Sequence, residues 1–263
     1  MWTLDEAERE ATPTCERISL AGLWRWQPAG DSVDTVPADG WGYQAVPAPW
    51  PSGRGQRGGT EGFVRNPAWS AEHLRDVKAA WYQVDLTVPA EWEGRHIALT
   101  TEYLHSFASV YVDGRKVADM RWPSGEVDLT EVCRPGGTHV LSMLVLALPL
   151  RAVMMSFNDT MGSREVPGQV NRRGLCGDVS LVGAPRGGRI RRLRVETSVR
   201  NWQVTFNTAL DDVDPEQTYV LHARVSDPDG AVTEFTSDPF GGADVVDGHL
   251  PFTCDWHPER LWD

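Results

Sequence analysis

The feature that most constrains this chain is a period of two. Short runs in which apolar and polar residues alternate recur along the sequence, punctuated by Gly, Pro and Asp. Alternation puts successive side chains on opposite faces of an extended strand, so each run specifies a strand with one face inward. "AAWYQVDLTV" (79–88) alternates cleanly and "RHIALTTEYL" (95–104) less so. "FASVYVDGRKVADM" (107–120) reads as two strands around Asp113-Gly114, a pair that favours the type I′ hairpin turn. "HVLSMLVLAL" (139–148) and "CGDVSLVG" (176–183) are nearly continuous apolar strands. A second series follows: "RIRRLRVETSV", "WQVTFNTAL", "TYVLHARVSDPDGAVTEFTS" and "HLPFTCDW", at the spacing of a β-sandwich. Helical periodicity is confined to "SAEHLRDV" (70–77), a short helix opened by Ser70. The chain is expected to be all-β, with a boundary in the Gly- and Pro-rich "GAPRGG" (183–188).

Composition removes several function classes. With 263 residues and 41% apolar content the chain can bury a core, in one large domain or two modest ones. A net charge of −12 argues against nucleic acid and anionic membranes as partners, because phosphates call for clustered Lys and Arg. The one basic run, Arg186 to Arg194, reads as a strand with a solvated face. Cys15, Cys133, Cys176 and Cys254 are far apart and without a nearby histidine pair, so no structural zinc is expected, and spacing alone assigns no disulfide. The start is acidic, without the apolar segment of a signal peptide, and no apolar run approaches membrane-spanning length; the chain is expected to be soluble. Twelve tryptophans are many, and for each of them core or loop packing outranks ligand contact.

An ordered set of blocks adds a resemblance. "LAGLWRWQPAG" (20–30), "VPAPW" (46–50), "AWYQVDLTVPAEWEGRHIALTTEYLHSFASVYVDGRKV" (80–117), "DLTEVCRPGGTHVLSMLV" (128–145) and "RGLCGDVSLVGAP" (173–185) occur in that sequence. Together they resemble the N-terminal, galactose-binding-like jelly roll of glycoside hydrolase family two, which contains β-galactosidases, β-glucuronidases and β-mannosidases. Trp81, Val84, Leu86, Val88 and Trp92 match the family's packing positions, and Asp113-Gly114 stands where it usually has Asn-Gly. "GLCGDVSLV" resembles its Gly-Ile-Trp-Arg-Asp-Val strand, with Cys176 and Gly177 in place of Trp-Arg. From about residue 186 to "DWHPERLWD" the chain resembles the family's immunoglobulin-like domain. The resemblance implies an N-terminal extension over 1–17, a jelly-roll β-sandwich over 18–185 and an immunoglobulin-like sandwich over 186–263. It further implies that the second sandwich lacks its last strands, which leaves an unpaired edge and exposed apolar surface.

Catalytic motifs are missing from the sequence. A retaining glycosidase needs two carboxylates about 5 Å apart, which the family takes from a (β/α)8 barrel, one of them in an Asn-Glu pair; no Asn-Glu pair occurs here. Nor is there a G-x-S-x-G elbow, and the seven histidines lack ligand spacing. Gly53 to Gly58 spell G-x-G-x-x-G, but the prolines before them and Gly59-Thr60-Glu61-Gly62 after them supply neither the strand nor the helix of a phosphate site, which leaves a surface loop. Glu102 reads as a satisfied structural carboxylate, Asp227-Pro228-Asp229-Gly230 as a hairpin turn, and Asp211-Asp212-Val213-Asp214 as a solvated loop. Two long polar segments, 51–69 and 156–173, correspond to family loops that reach the terminal sugar. Asn66, Trp69, Asn158 and Asp159 are the candidate carbohydrate-binding residues, with loop capping as the competing role; no catalytic residue, cofactor or metal is assigned. The expected function is a non-catalytic accessory region of a family-two glycoside hydrolase, with a β-linked glycoside and a catalytic barrel or a second copy as partners. A free-standing lectin-like binder and a purely structural scaffold are the alternatives.

Overall fold

A computed structural model describes residues 1–30, 33–51, 62–69, 74–147, 153–158, 162–167, 172–227, 230 and 232–258. It contains short antiparallel strands and four single 3₁₀ turns among these residues. The chain divides into two compact units, Met1–Ala184 and Pro185–Asp263.

The first unit is built from two antiparallel sheets. One has seven strands in the order Arg115–Arg121, Phe107–Val112, Thr138–Leu146, Ala79–Thr87, Gly22–Pro28, Gly42–Val46, Phe63–Val64. The other has five, in the order Arg9–Ala11, Glu16–Ser19, Val179–Ala184, His96–Thr101, Gly125–Asp128. Strand Ala79–Thr87 shows why the alternating pattern produces this arrangement. Ala80, Tyr82, Val84 and Leu86 point into a core that they share with Leu99, Val179 and Leu181 of the five-stranded sheet. On the opposite face Trp81 joins Tyr111 and Leu144 in a smaller cluster under Val33, Val36 and Trp41. Further along that face Gln83 and Asp85 both bind the Arg25 guanidinium, Asp85 with two contacts of 3.0 and 2.8 Å.

Asp113-Gly114 forms the expected tight hairpin, with φ of 49° and 78° at the two residues and Val112 paired to Arg115. Tryptophans fill the core: Trp2, Trp24, Trp26, Trp50, Trp69, Trp81 and Trp92 are all buried. Residues 1–17 belong to this unit, since Trp2 donates from Nε1 to the Ser19 carbonyl and Arg9–Ala11 pairs with Glu16–Ser19. The helix expected over 70–77 reduces, in its described part, to one 3₁₀ turn at Leu74–Asp76; a segment this short cannot hold a helix without a packed face.

The second unit has a three-stranded sheet, in the order Arg189–Ser198, Gln203–Asp211, His249–Asp255, and a two-stranded hairpin, His222–Ser226 with Val232–Thr236. Val204, Phe206 and Phe235 form its small core, with Phe252 and Trp256 packed against them. Between the hairpin strands the Gly230 amide donates to the Asp227 carbonyl at 3.1 Å, while Pro228 and Asp229 of the expected turn lie outside the described residues.

Candidate functional site

At one end of the first unit the chain builds a narrow ribbon from four segments. Leu104–His105 pairs with Gly174–Leu175. On one side of this pair Ala48 and Trp50 donate to the carbonyls of Leu175 and Arg173 at 2.9 and 2.8 Å. On the other side Leu104 donates to the Pro123 carbonyl and Trp122 to the Ser106 carbonyl, each at 2.8 Å. The long polar segments 51–69 and 156–173 adjoin this ribbon in the chain, the first following Trp50 and the second ending at Arg173.

Close packing dictates the ribbon's composition. Gly174 has a φ of +105°, and a Cβ there would lie 2.6 Å from the Trp50 ring and from the Tyr82 hydroxyl. A Cβ on Gly177 would lie 2.6 Å from the Tyr103 amide nitrogen. No side chain fits at either place, so the glycine at 177 is a steric requirement of this backbone. Beneath Gly174, Trp50 donates from Nε1 to the Tyr82 hydroxyl at 2.6 Å. Burial raises the Tyr82 pKa well above the usual tyrosine value, so the hydroxyl stays protonated. The Arg173 guanidinium lies over the Trp50 ring, 5.4 Å from its centroid, and donates to the Val77 carbonyl at 2.5 Å.

His105 is the unusual member of the ribbon. It is 2% exposed, and among the described residues neither ring nitrogen has a hydrogen-bond partner. Burial, with the Arg173 charge adding to it, lowers its pKa and keeps the ring neutral at pH 7. Burial also pushes the Cys176 thiol up to about 11, which leaves it a poor nucleophile. The ribbon therefore offers, among the described residues, a neutral imidazole, a protonated phenol and a protonated thiol. Its chemistry suits the holding of adjoining segments in place.

The sequence-derived site residues are distributed as follows. Asn66 donates from Nδ2 to the Trp41 carbonyl at 3.0 Å and accepts from the Ala68 amide at 2.8 Å. Trp69 is 8% exposed, stands edge-on to Trp26 with ring centroids 5.6 Å apart, and donates to the Gly40 carbonyl at 3.1 Å. Its carbonyl accepts from the Arg65 guanidinium. Both side chains thus anchor the 62–69 segment to Gly40–Gly42, and the Trp69 ring is committed to the core. Asn158 ends the strand Val153–Asn158, opposite Gly162. Asp159 and the Gly53 to Gly58 stretch lie outside the described residues. The sequence reading passed over Trp50, His105 and Arg173 as site residues, although each lies inside a quoted block, and it missed Trp122, which lies between two blocks and is 50% exposed at the ribbon margin.

Other acidic candidates are neutralised in place. Glu102 pairs with Arg17 at 2.7 Å, as a satisfied carboxylate should. Asp211 and Asp212 receive Arg189 at 3.1 and 3.0 Å, and Arg191 also reaches Asp211. Among the described residues no cluster of His, Cys, Asp and Glu could hold a metal ion, and no helix is long and apolar enough to cross a membrane. A separate cleft of about 370 Å³ lies against Trp2, Glu6 and Gly22, where Thr3 and Glu6 bond to each other at 3.3 Å.

Comparison with known proteins identifies the fold. No protein-family model matches the chain, and no curated protein matches it in sequence. Solved structures do. The chain superposes on a β-glucuronidase from an uncultured Clostridium species with a TM-score of 0.62 at 15% identity, over 92% of this chain and 40% of that one. It superposes on a β-D-glucuronidase from Dictyoglomus thermophilum with a TM-score of 0.61 at 18% identity, over 97% and 40% of the respective chains. A Ruminococcus gnavus β-glucuronidase in complex with D-glucuronic acid gives a TM-score of 0.64 at 16% identity, over 97% and 42%. The chain has the fold of part of these proteins and spans about 40% of the length of the first of them.

Proposed function

We propose that this chain is a non-catalytic accessory region of a family-two glycoside hydrolase, in which the first unit frames the sugar entrance and supports a catalytic barrel. One observation carries the reading: nearly the whole chain follows the fold of β-glucuronidases while spanning only about two fifths of their length. The matched structures include one with D-glucuronic acid and one with coumarin-3-O-glucuronide, which makes a β-linked uronide the first sugar class to test. The ribbon supports the same role, because its glycines and buried rings position adjoining segments and supply no acid–base pair. The burial of seven tryptophans favours architecture over a lectin function, which needs exposed rings as sugar platforms.

The test pairs turnover with binding. The purified chain is incubated with p-nitrophenyl β-D-glucuronide, and its tryptophan emission is titrated with glucuronate, galactose, mannose and short β-linked oligosaccharides. No turnover and no saturable response are expected. Turnover would overturn the non-catalytic role, and saturable binding of a monosaccharide would establish the lectin-like alternative.

A further inference from the structure

The chain contains four Asp-Gly pairs, at 39–40, 113–114, 229–230 and 247–248. Such a pair carries chemistry of its own: glycine has no Cβ to shield its amide nitrogen, which can attack the aspartyl Cγ and close a succinimide ring. Asp113-Gly114 and Asp247-Gly248 form a matched comparison. Each follows a valine, so both read Val-Asp-Gly. Each is the two-residue tip of an antiparallel hairpin, with Val112 opposite Arg115 and Val246 opposite His249. The φ angles are 49° and 78° in the first and 51° and 74° in the second. Local sequence, turn length and φ therefore do not separate the two.

The surroundings of the carboxyl group do. Asp113 Oδ1 accepts from the Val140 amide at 2.8 Å and Oδ2 from His139 Nδ1 at 2.8 Å, and the Asp113 amide donates to the Val140 carbonyl at 2.9 Å. Nε2 of the same ring accepts from the Arg134 amide at 2.9 Å, so the hydrogen on Nδ1 is the one offered to Asp113. Cγ cannot swing toward the Gly114 nitrogen without breaking both carboxylate bonds. Hydrogen bonds donated to a carboxylate also hold it ionised, and the ionised group is a poor electrophile. Asp247 is exposed, and among the described residues its carboxylate has no hydrogen-bond or ion-pair partner. The Gly248 amide donates to no described group either; the turn is closed by the Val246 and His249 amides, each donating to the other's carbonyl at 3.0 and 2.8 Å. Val246 beside it is 68% exposed. Asp39-Gly40 is pinned on both sides, the Asp39 carbonyl accepting from Gln27 Nε2 at 2.9 Å and the Gly40 carbonyl from Trp69 Nε1 at 3.1 Å. Asp229 lies outside the described residues.

We propose that Asp247-Gly248 is a self-modifying site at which aspartate converts to isoaspartate, while His139 and Val140 hold Asp113-Gly114 against the same reaction. The Gly248 nitrogen bonds to Asp247 Cγ, and the carboxyl OH leaves with the amide proton as water. Water then opens the succinimide at the aspartyl main-chain carbonyl and breaks its bond to the Gly248 nitrogen. The chain now runs through Cβ and Cγ, with a free α-carboxylate; one water is lost and one regained, so the mass is unchanged. The inserted methylene lengthens a two-residue turn and removes the spacing that pairs Val246 with His249, at the start of the strand His249–Asp255. The displaced α-carboxylate is the group that an isoaspartyl carboxyl methyltransferase recognises, which is the class of enzyme that would read the product.

The test incubates the full 263-residue chain at neutral pH and body temperature for several weeks, beside a urea-denatured sample. Each Asp-Gly pair is followed by electron-transfer fragmentation of proteolytic peptides, which separates isoaspartate from aspartate at equal mass. In the folded chain isoaspartate is expected to form about tenfold faster at Asp247 than at Asp113, the factor that one hydrogen bond to a charged group supplies. In urea the two rates are expected to converge, because the tripeptides are identical. His139→Ala is expected to raise the rate at Asp113 severalfold and to leave Asp247 unchanged. Asp39, in the same unit as His139, gauges any unfolding of that variant, and the comparison of folded with denatured parent stands without it. Equal rates at Asp113 and Asp247 in the folded chain, or a faster reaction at Asp113, would overturn the proposal. So would an Asp247 that stays intact while the denatured sample converts. A difference that persists in urea would overturn it too, by placing the cause in Arg115 and His249, the residues that follow each pair.

Discussion

Gly174→Ala is the sharpest test of the ribbon. A Cβ at this position would stand 2.6 Å from Trp50 Cδ1, Trp50 Nε1 and the Tyr82 hydroxyl oxygen, well inside van der Waals contact. Both neighbours are buried and joined by a 2.6 Å hydrogen bond, so neither can withdraw without losing it. The backbone at φ +105° adds strain of its own for any residue with a side chain, about 1–3 kcal/mol. Overpacking adds a similar amount. The sum is about 2–6 kcal/mol, equivalent to a fall in melting temperature on the order of 10 °C for a unit of this size. The assay is urea denaturation followed by tryptophan emission, which reports on this unit because seven buried indoles lie in it. Gly94→Ala supplies the control: it has a φ of +76° with nothing within 4 Å of the added Cβ, so only the backbone cost of about 1–2 kcal/mol applies. If the two substitutions cost the same, the close approach of Trp50 and Tyr82 to Gly174 is refuted.

Further expectations concern pH and thiol chemistry. Burial opposes ionisation of Asp113, but hydrogen bonds from the His139 ring and the Val140 amide, with the attraction of His139, bring its pKa below the usual carboxylate value. Its stabilising contribution is therefore present above about pH 4 and lost as pH falls through the lower folded value; Asp113→Asn should flatten the acid limb of a stability–pH profile, by well under 1 kcal/mol at this half-exposed site. His105 is lowered in the folded state by burial, so the unfolded chain takes up a proton first as pH drops below about 6.5 and stability falls with it. His105→Leu should remove that part of the loss below about pH 6.5, as read by melting temperature against pH. Thiol labelling with a disulfide reagent at pH 8, followed by mass spectrometry, should modify Cys15 and Cys254 first. Cys176, pushed up to about 11, should react next, and buried Cys133, pushed up to about 12, last.

Local alternation was enough to place most strands, because the period of two is a property of the backbone and needs no knowledge of neighbours. Ala79–Thr87 and Phe107–Val112 fall within runs legible in the sequence, Thr138–Leu146 and Gln203–Asp211 overrun theirs by one residue, and Asp113-Gly114 marked its own turn. The candidate site was far less legible. Asn66 and Trp69 carry the chemistry of sugar contact, yet tertiary packing turned both toward Gly40–Gly42. His105, Trp50 and Arg173 are separated by up to 123 positions in the chain, and only strand pairing across Gly174–Leu175 brings their segments together.

The sequence by itself determined an all-β chain with a tryptophan-filled core and a basic strand after residue 186, since periodicity, turn chemistry and side-chain volume act through near neighbours. Only the tertiary structure decided which faces are covered. Arg189–Ser198 reads in sequence as a strand with one solvated face, but its apolar row is exposed as well, because the facing hairpin ends short of it. Burial is a relation between strands distant in sequence, and alternation within one strand specifies which side chains share a face without specifying what covers them.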